Sequence, residues 1–272
     1  MNMKSYTSQL VEKIKTTSPL IHNITNFVVM NSSANILLAI GASPVMAHCI
    51  GEVEEMTSLA NALVLNIGTL QDDWVESMIC AAKAANAKGI PVILDPVGSG
   101  ATSLRTQAVK KIMSSAQISV LRGNASEIFS LASADVRTRG VDSSLSVTAE
   151  IIDAAQKLAT DMDCIIAMSG AEDIITDGKQ IYKVANGQPI MTKVTGIGCG
   201  LSAVTGAFCA VSDGNLLAAT AAAFGFYGLC GDLAIKISDK PGSFFVAFID
   251  TLYDVQTGDI QAGLRVEESS EV

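Results

Sequence analysis

The chain has 272 residues, 49% of them hydrophobic and 17% charged, a composition that predicts a folded globular protein and excludes a disordered chain. Its 18 Lys and Arg against 27 Asp and Glu give a net charge of −9, the wrong sign for binding nucleic-acid phosphates, so we expect no nucleic-acid partner. The length suits one α/β unit, and we expect residues 1–272 to form a single domain.

Short β-rich runs alternate with helical patterns in the first half of the chain. The N-terminus has no apolar core followed by small residues, so no secretory signal is expected. A segment beginning at Thr25 is closed by Gly41, and the runs after it are ALVLNIG (62–68), DDWVESMICAAKAANAKG (72–89), PVILDP (91–96), LRTQAVKKIMSSA (104–116) and ISVLRGN (118–124). The β-rich runs are apolar at successive positions, which is typical of parallel strands covered by helices on both faces. This rhythm predicts βαβ units around an interior sheet.

The pattern changes after the middle of the chain. A helix is predicted over 146–162 and another central strand over 164–170. Over 173–194 the turn dipeptides Asp177-Gly178 and Asn186-Gly187 separate β-rich pieces, which is typical of an antiparallel meander. The sheet is therefore predicted to be mostly parallel with a short antiparallel section.

The C-terminal part of the chain, from 198 to about 252, is nearly all helical in pattern. Its apolar run at 216–230 is shorter than the ~20 residues that a bilayer requires, and it is interpreted as a buried helix. No membrane partner is expected. The charged tail RVEESSEV (265–272) is predicted to be frayed.

The six cysteines form no CxxC pair, and the two histidines, His22 and His48, lie far in sequence from the later cysteines. This arrangement disfavours a zinc finger or ribbon, and both histidines are interpreted as structural. Scattered thiols without a secretory signal indicate a reducing compartment. We therefore expect a cytoplasmic protein without structural disulfides.

The glycine-rich segment VTGIGCGLS (194–202) joins the predicted meander to an apolar helix. Glycines let backbone N–H groups form a concavity, and the helix N-terminus adds positive potential, so the segment is a candidate anion site. The alternative is a flexible turn that feeds a close-packed helix. The chain has no GxxxxGK[ST] motif, which excludes a Walker A loop. An anion site after an antiparallel insertion, late in a parallel α/β chain, is a feature of ribokinase-like kinases.

Cys199 lies in the first turn of that predicted helix, where the helix dipole is expected to lower the pKa of its thiol. A purely structural cysteine is the alternative. Cys209 and Cys230 lie deeper in apolar helices and are interpreted as core residues. Cys199 is therefore the one cysteine that we consider as a catalytic candidate.

A larger set of motifs runs in order from about residue 18 to 260: TGIGCG with LIHNITNFVVMN (20–31), GASPVMAH (41–48), LNIGTL (65–70), DPVGSGAT (95–102), LRGNASEI (121–128), RGVDSS (139–144) and SGAEDIITDG (169–178). Together they resemble the hydroxyethylthiazole kinase family. The resemblance implies a ribokinase-like three-layer α/β/α fold without a separate lid domain. It also implies transfer of the ATP γ-phosphoryl group to the hydroxyl of 4-methyl-5-(2-hydroxyethyl)thiazole, a salvage step of thiamine biosynthesis, in homotrimers with active sites at subunit interfaces.

The same resemblance implies that Met46 and Gly196 contact the thiazole, and Asn26 is a further candidate for that site. Each side chain has a plainer interpretation. Asn26, or its neighbour Thr25, would cap the second helix. Met46 would be an ordinary core side chain of a strand.

ATP contacts are implied for Arg122 and Ser169, and Cys199 stands where ribokinase-like enzymes usually have a base Asp. As a hypothesis, Cys199 positions the substrate hydroxyl and accepts its proton late, while Arg122, Mg²⁺ and the backbone N–H groups from Gly196 to Gly200, Gly198 among them, stabilise the charge in flight. Ile197 departs from the family pattern, in which Thr or Ser is commoner at that position. Ser169 likewise stands where Thr is common.

Two carboxylates, Asp95 and Glu127, follow predicted strands, at the ends where open α/β sheets bind ligands. They are candidates to hold Mg²⁺ through waters, with phosphates as the other ligands. Two alternatives are open. Glu127 would be an acidic residue that stabilises the N-terminus of a helix, and Arg122 would pair with Glu127 instead of with phosphate.

The sequence leaves three other functions to consider. An ATP-dependent dehydratase of the NAD(P)H-hydrate type shares the fold, but such enzymes generally retain an Asp where this chain has Cys199. A non-catalytic thiazole- or nucleotide-binding protein is a second alternative. A thiol hydrolase is a weaker one, because no His stands in a recognisable relation to Cys199.

Overall fold

The computed structural model describes residues 1–132 and 149–269, which form a nine-stranded sheet between two layers of helices. The strand order is β2-β1-β3-β4-β5-β6-β7-β8-β9. The motif RGVDSS (139–144) and residues 146–148 lie outside the described residues, as do residues 270–272. Within residues 1–132 and 149–269, the expected α/β/α layering with a mostly parallel sheet is confirmed.

The first six strands are all parallel, as the apolar runs predict. They are β1 Leu20–Ile24, β2 Ser43–Val45, β3 Ala62–Asn66, β4 Val92–Asp95, β5 Val120–Asn124 and β6 Ile165–Ser169. All residues of β3 and β4 are buried, because helices cover both faces of the sheet. The carboxyl ends of these strands meet at one edge, where parallel α/β sheets bind their ligands.

The last three strands are antiparallel: β7 Asp173–Thr176, β8 Ile181–Val184 and β9 Val266–Ser269. Two expectations are wrong here. The tail is not frayed over its first residues, because β9 pairs with β8 and Arg265 donates to Ala185 O and to Asp232 Oδ2. The end of the predicted meander is a 3₁₀ helix, Pro189–Lys193, because Pro189 cannot donate to a strand ladder.

Helices fill both faces of the sheet. They are α1 Met3–Thr17, α2 Met30–Ala39, α3 Val53–Leu59, α4 Asp72–Lys88, α5 Ser103–Ser115, α6 Ala125–Ala132, α7 Ala149–Met162, α8 Ile197–Ala210, α9 Leu216–Ala234, α10 Pro241–Asp254 and α11 Thr257–Gly263. One hydrophobic core lies under α1, α2, α8, α9 and α10, and the other lies under α3 to α7. Helix α8 packs directly against β3, β4 and β1, which brings its N-terminus to the strand ends.

Helix α9 is long and apolar enough to cross a membrane by composition, yet 78% of its most apolar window is buried inside the protein. Its glycines permit close packing: a Cβ at Gly228 would lie 2.6 Å from the Asn186 backbone. The interpretation of this run as a buried core helix is confirmed.

Candidate functional site

The site lies where the parallel strands end and α8 begins. Asn66 ends β3 and pairs in register with Asp95, which ends β4. Ser169 ends β6 and pairs with Asn124, two residues after Arg122. Chain segments that are far apart in sequence therefore deliver these polar side chains to one edge of the sheet, beside the N-terminus of α8.

The glycine turn forms the N-terminus of α8. Gly196 is the N-cap residue and has φ +87°, a left-handed conformation that side chains disfavour. A Cβ there would lie 3.0 Å from Val29 Cγ1 and 3.1 Å from Ser32 Oγ. Helix geometry leaves the N–H groups of Ile197, Gly198 and Cys199 without acceptors inside α8. The turn therefore presents backbone donors at the positive end of the helix dipole.

Tyr227 of α9 supports this turn from below. Its hydroxyl donates to Ile197 O at 2.9 Å, and the ring is fully buried. A Cβ at Gly200 would lie 2.6 Å from the Tyr227 hydroxyl, so glycine permits this close contact. The Ile197 side chain is itself part of the hydrophobic core, which accounts for an apolar residue at this position.

Cys199 stands in the first turn of α8, and its side chain is half-buried. Asn26 Nδ2 lies 3.6 Å from its sulfur and donates to it. Burial raises the pKa of the Cys199 thiol to about 11, and the charge of Asp95 adds to the rise. The expected lowering of this pKa is wrong, because burial and a neighbouring carboxylate outweigh the helix dipole. Cys199 therefore holds its proton at neutral pH.

Asn26 does not cap the second helix. Helix α2 begins at Met30, with Val29 as N-cap residue, whereas Asn26 lies in the turn after β1. Its Oδ1 accepts from Val28 N at 3.1 Å, and its Nδ2 donates to Asn66 Oδ1 at 2.8 Å. The predicted start of this helix at Thr25 is wrong, and the Asn26 amide points toward the site instead.

Arg122 joins two of the strand-end residues. Its Nη2 donates to Ser169 Oγ at 2.9 Å, and its Nη1 lies 3.8 Å from Asp95 Oδ2. A Cβ at Gly198 would lie 3.2 Å from Nη1, so the guanidinium lies against the glycine turn. The Nε group is buried and has no hydrogen-bond partner among the residues that the structure describes. The guanidinium pairs with Asp95, not with Glu127 as the alternative interpretation had it.

Asp95 and Glu127 differ in their surroundings. Asp95 Oδ2 accepts from Ser202 Oγ at 2.7 Å and from Asn66 Nδ2 at 2.9 Å. Burial raises the pKa of Asp95 to about 6 against the lowering effect of Arg122, and the charge of Glu127 raises it further. These two carboxylates are therefore close enough to interact electrostatically.

Glu127 also serves the helix role that the sequence left open. Its Oε2 accepts from Asn124 N at 2.8 Å while its own N–H donates to Asn124 Oδ1 at 2.9 Å, a reciprocal arrangement at the start of α6. Its Oε1 accepts from Gly98 N at 2.8 Å. A carboxylate oxygen has lone pairs to spare after one such bond, so these contacts leave room for a water ligand of a metal ion.

Nearly the whole chain matches one protein family. The model of the hydroxyethylthiazole kinase family matches residues 11–258. The chain belongs to the hydroxyethylthiazole kinase family. The hydroxyethylthiazole kinase of Desulfotalea psychrophila is 51% identical over 269 residues, covering 99% of this chain and 98% of its own. That of Thermoanaerobacter pseudethanolicus is 50% identical over 261 residues, covering 95% of this chain and 98% of its own.

Solved structures agree with the family and the fold. The hydroxyethylthiazole kinase protein from Pyrococcus horikoshii OT3 has a TM-score of 0.89 at 40% identity and covers 98% of this chain and 100% of its own. A pyridoxal kinase from Staphylococcus aureus has a TM-score of 0.62 at 16% identity, with 92% of this chain and 98% of its own covered, which shows a shared fold alone. The expected ribokinase-like fold is confirmed, and the chain is a kinase.

Met46 and the histidines lie on the side of the site next to β2. Met46 follows β2 and is half-buried. His22 is fully buried, with Nε2 2.7 Å from Ala47 O and Nδ1 2.9 Å from Thr57 Oγ1, so it fixes the loop that carries Met46. Burial lowers the pKa of His22, which keeps it neutral in this structural role.

Asn66 and Tyr227 are the site residues that sequence reasoning missed in this kinase-family chain. Asn66 had a readable signal, because it ends an apolar strand in the same way that Asp95 ends the next one. Tyr227 had none, because an aromatic residue in an apolar helix predicts only burial.

Proposed function

We propose that this protein transfers the ATP γ-phosphoryl group to the hydroxyl of 4-methyl-5-(2-hydroxyethyl)thiazole, a salvage step of thiamine biosynthesis. The observation that carries the proposal is the α8 N-terminal turn, with backbone donors at Gly198, the Arg122 guanidinium against it and the Cys199 thiol beside it. The relatives are named hydroxyethylthiazole kinases, and we take the acceptor alcohol from that name.

The chemistry suits these groups. Phosphoryl transfer passes through a loose transition state, so alignment and neutralisation of phosphate charge matter most. The bond from the γ-phosphorus to the β,γ-bridging oxygen breaks, a bond from the γ-phosphorus to the alcohol oxygen forms, and the alcohol proton passes late to an oxygen of the transferred phosphoryl group. Arg122 and the turn donors stabilise the charge in flight. Because its thiol stays protonated, Cys199 orients the hydroxyl.

The binding roles follow from position. Arg122 and Ser169, joined by their hydrogen bond, bind ATP at the ends of β5 and β6. Gly196, Met46 and Asn26 surround the thiazole between the turn and the loops after β1 and β2. The Cys199 thiol next to Asn26 then lies between the two substrates.

Asp95 and Glu127 fit a Mg²⁺ ion held through waters and ATP phosphates. Both are hard oxygen donors, and the charge of Glu127 adds to the cost of ionising the buried Asp95, which a bound cation would relieve. Mg²⁺ supplies positive charge against the phosphate oxygens. The protein's part is to hold Asp95 in place through Ser202 and Glu127 through Gly98.

Glu127→Gln is expected to raise the Mg²⁺ concentration for half-maximal activity about 10-fold, because one of two carboxylates loses its charge. The measurement is a Mg²⁺ titration of initial rates, with Mn²⁺ binding in the presence of ADP by electron paramagnetic resonance as a second readout. Glu76→Gln is the matched control, since Glu76 is an exposed carboxylate paired with Lys111 on the surface. Equal metal affinity in both variants would exclude Glu127 as a metal-site residue.

We further propose a cytoplasmic homotrimer with active sites at subunit interfaces. Phe27 and Val28, which follow Asn26 directly, are 55% and 64% exposed, as expected where a second copy covers the loop. Phe27 also packs on Trp74, with ring centroids 4.7 Å apart. Light scattering that gives the mass of one chain would contradict this assembly.

The acceptor dependence of ADP release tests the proposed function. With Mg·ATP, we expect ADP to form with the hydroxyethyl thiazole and not with 4-methyl-5-ethylthiazole, which lacks only the hydroxyl. Equal ADP release with both compounds, or none with either, would overturn the proposal.

A further inference from the structure

Asn66 is a buried polar residue to which the proposed function gives no role. It ends β3, is 1% exposed, and has side-chain hydrogen bonds to both Asp95 and Asn26. Burial of a side-chain amide costs free energy unless its N–H and C=O groups are hydrogen-bonded. The hydrogen-bond partners of Asn66 therefore indicate its role.

The orientation of the Asn66 amide is fixed by a backbone donor. Gly68 N–H donates to Oδ1 at 2.9 Å, and this oxygen also accepts from Asn26 Nδ2 at 2.8 Å. A flipped amide would place Nδ2 against the Gly68 N–H, two donors face to face. Nδ2 must therefore face Asp95 Oδ2, 2.9 Å away, and donate to it.

The Asn26 amide is oriented in the same way. Its Oδ1 accepts from Val28 N–H, which leaves Nδ2 to donate to Asn66 Oδ1 and to Cys199 Sγ. The sulfur is therefore an acceptor on this side. Burial raises the pKa of the thiol, and the hydrogen bond from Asn26 acts against that rise.

The network begins and ends on α8. Ser202 Oγ donates to the same Asp95 oxygen at 2.7 Å, and Ser202 lies one helical turn after Cys199. The bonds run from Cys199 through Asn26, Asn66 and Asp95 to Ser202. Removal of Asn66 would leave donors on Asn26 and a lone pair on Asp95 unmatched in a buried place.

We propose that Asn66 is a positioning residue that fixes the direction of the hydrogen bonds reaching Cys199 and so orients the thiol toward the acceptor hydroxyl. This inference rests on the proposed function. Asn66 is 1% exposed and its amide is bonded to Asp95 and Asn26, so we assign it no direct contact with either substrate. Its effect on the rate passes through Cys199.

The test measures Asn66→Ala in two backgrounds, with Cys199 present and with Cys199→Ala. With Cys199 present, we expect kcat to fall about 10-fold with the KM for ATP changed less than about 2-fold, because misplacement of a reacting group mainly lowers kcat. In the Cys199→Ala background the further loss is expected to be below about 2-fold, since groups acting through one another are not additive.

Asn23→Ala is the matched control. Asn23 is a buried asparagine of β1, 2% exposed, and within residues 1–132 and 149–269 its side chain donates to Ile21 O and takes no part in this network. Its kcat is expected to stay within about 2-fold of wild type. If Asn66→Ala does not fold, Asn66→Ser keeps a small donor and acceptor at the position, and the same dependence on the background is expected.

An equal loss in both backgrounds, or a loss confined to the KM for ATP, would overturn the role of Asn66. Failure of the proposed function is distinguishable, because then the wild-type protein itself would form no ADP with the thiazole alcohol.

Discussion

Arg122→Ala is expected to lower kcat/KM for ATP about 10³-fold, the scale seen when a preorganised cation that stabilises transferring phosphate is removed. The guanidinium is nearly buried, lies against the Gly198 turn and donates to Ser169. Its loss also removes the guanidinium beside the buried Asp95 carboxylate, so in the metal-free protein the pKa of Asp95 is expected to rise further above its raised value of about 6. Steady-state kinetics with varied ATP measure the effect.

Arg265→Ala is the control for this prediction, because Arg265 also pairs with a carboxylate, Asp232, but does so beside β9. It is expected to lower the melting temperature without changing kcat/KM. Arg122→Lys keeps the charge and loses the planar fork, so an intermediate loss is expected. A folded Arg122→Ala variant with kcat/KM within about 3-fold of wild type would show that Arg122 does not bind the phosphates.

Cys199→Ala is expected to lower kcat about 10- to 100-fold, whereas Cys199→Asp is expected to preserve or raise it. The thiol, with its pKa raised to about 11, is protonated at neutral pH and only orients the hydroxyl. A carboxylate has an ordinary pKa of ~3.9, and even when Asp95 raises that value it accepts a proton more readily than a neutral thiol.

The pH profile separates orientation from base catalysis. The wild-type kcat is expected to stay level from pH 7 to 9, because the thiol remains protonated over that range. A rate that required the thiolate would instead rise about tenfold per pH unit over that range, because the pKa of Cys199 lies above it. A covalent adduct trapped on Cys199 would establish nucleophilic catalysis and contradict this account.

The parallel half of the fold was readable because each strand carries its own signal. Runs such as VILD in β4 are apolar at every interior position and end in a polar residue, which indicates both burial and the functional edge. The antiparallel section was readable from its turn dipeptides. The ninth strand was not, since VEES alternates too weakly to predict a strand and forms one because β8 and Arg265 hold it.

The glycine turn of the site was predictable from the sequence, whereas the pKa of its thiol was not. The N-terminal position of Cys199 indicated a lowered thiol pKa, but burial and the distance to Asp95 come from tertiary packing that no local pattern encodes. The bond from Arg122 to Ser169 and the bond from Asn26 to Asn66 likewise join residues 47 and 40 positions apart. Such contacts follow only from the order of strands in the sheet.

Phosphoryl transfer to the alcohol is tested by the ³¹P spectrum of the wild-type protein with Mg·ATP and 4-methyl-5-(2-hydroxyethyl)thiazole. We expect the γ-phosphate signal to be replaced by signals of ADP and of one phosphate monoester, whose phosphorus is split into a triplet by the adjacent CH₂ group. Conversion of ATP to ADP and inorganic phosphate alone, or an unchanged ATP spectrum, would contradict phosphoryl transfer to this alcohol.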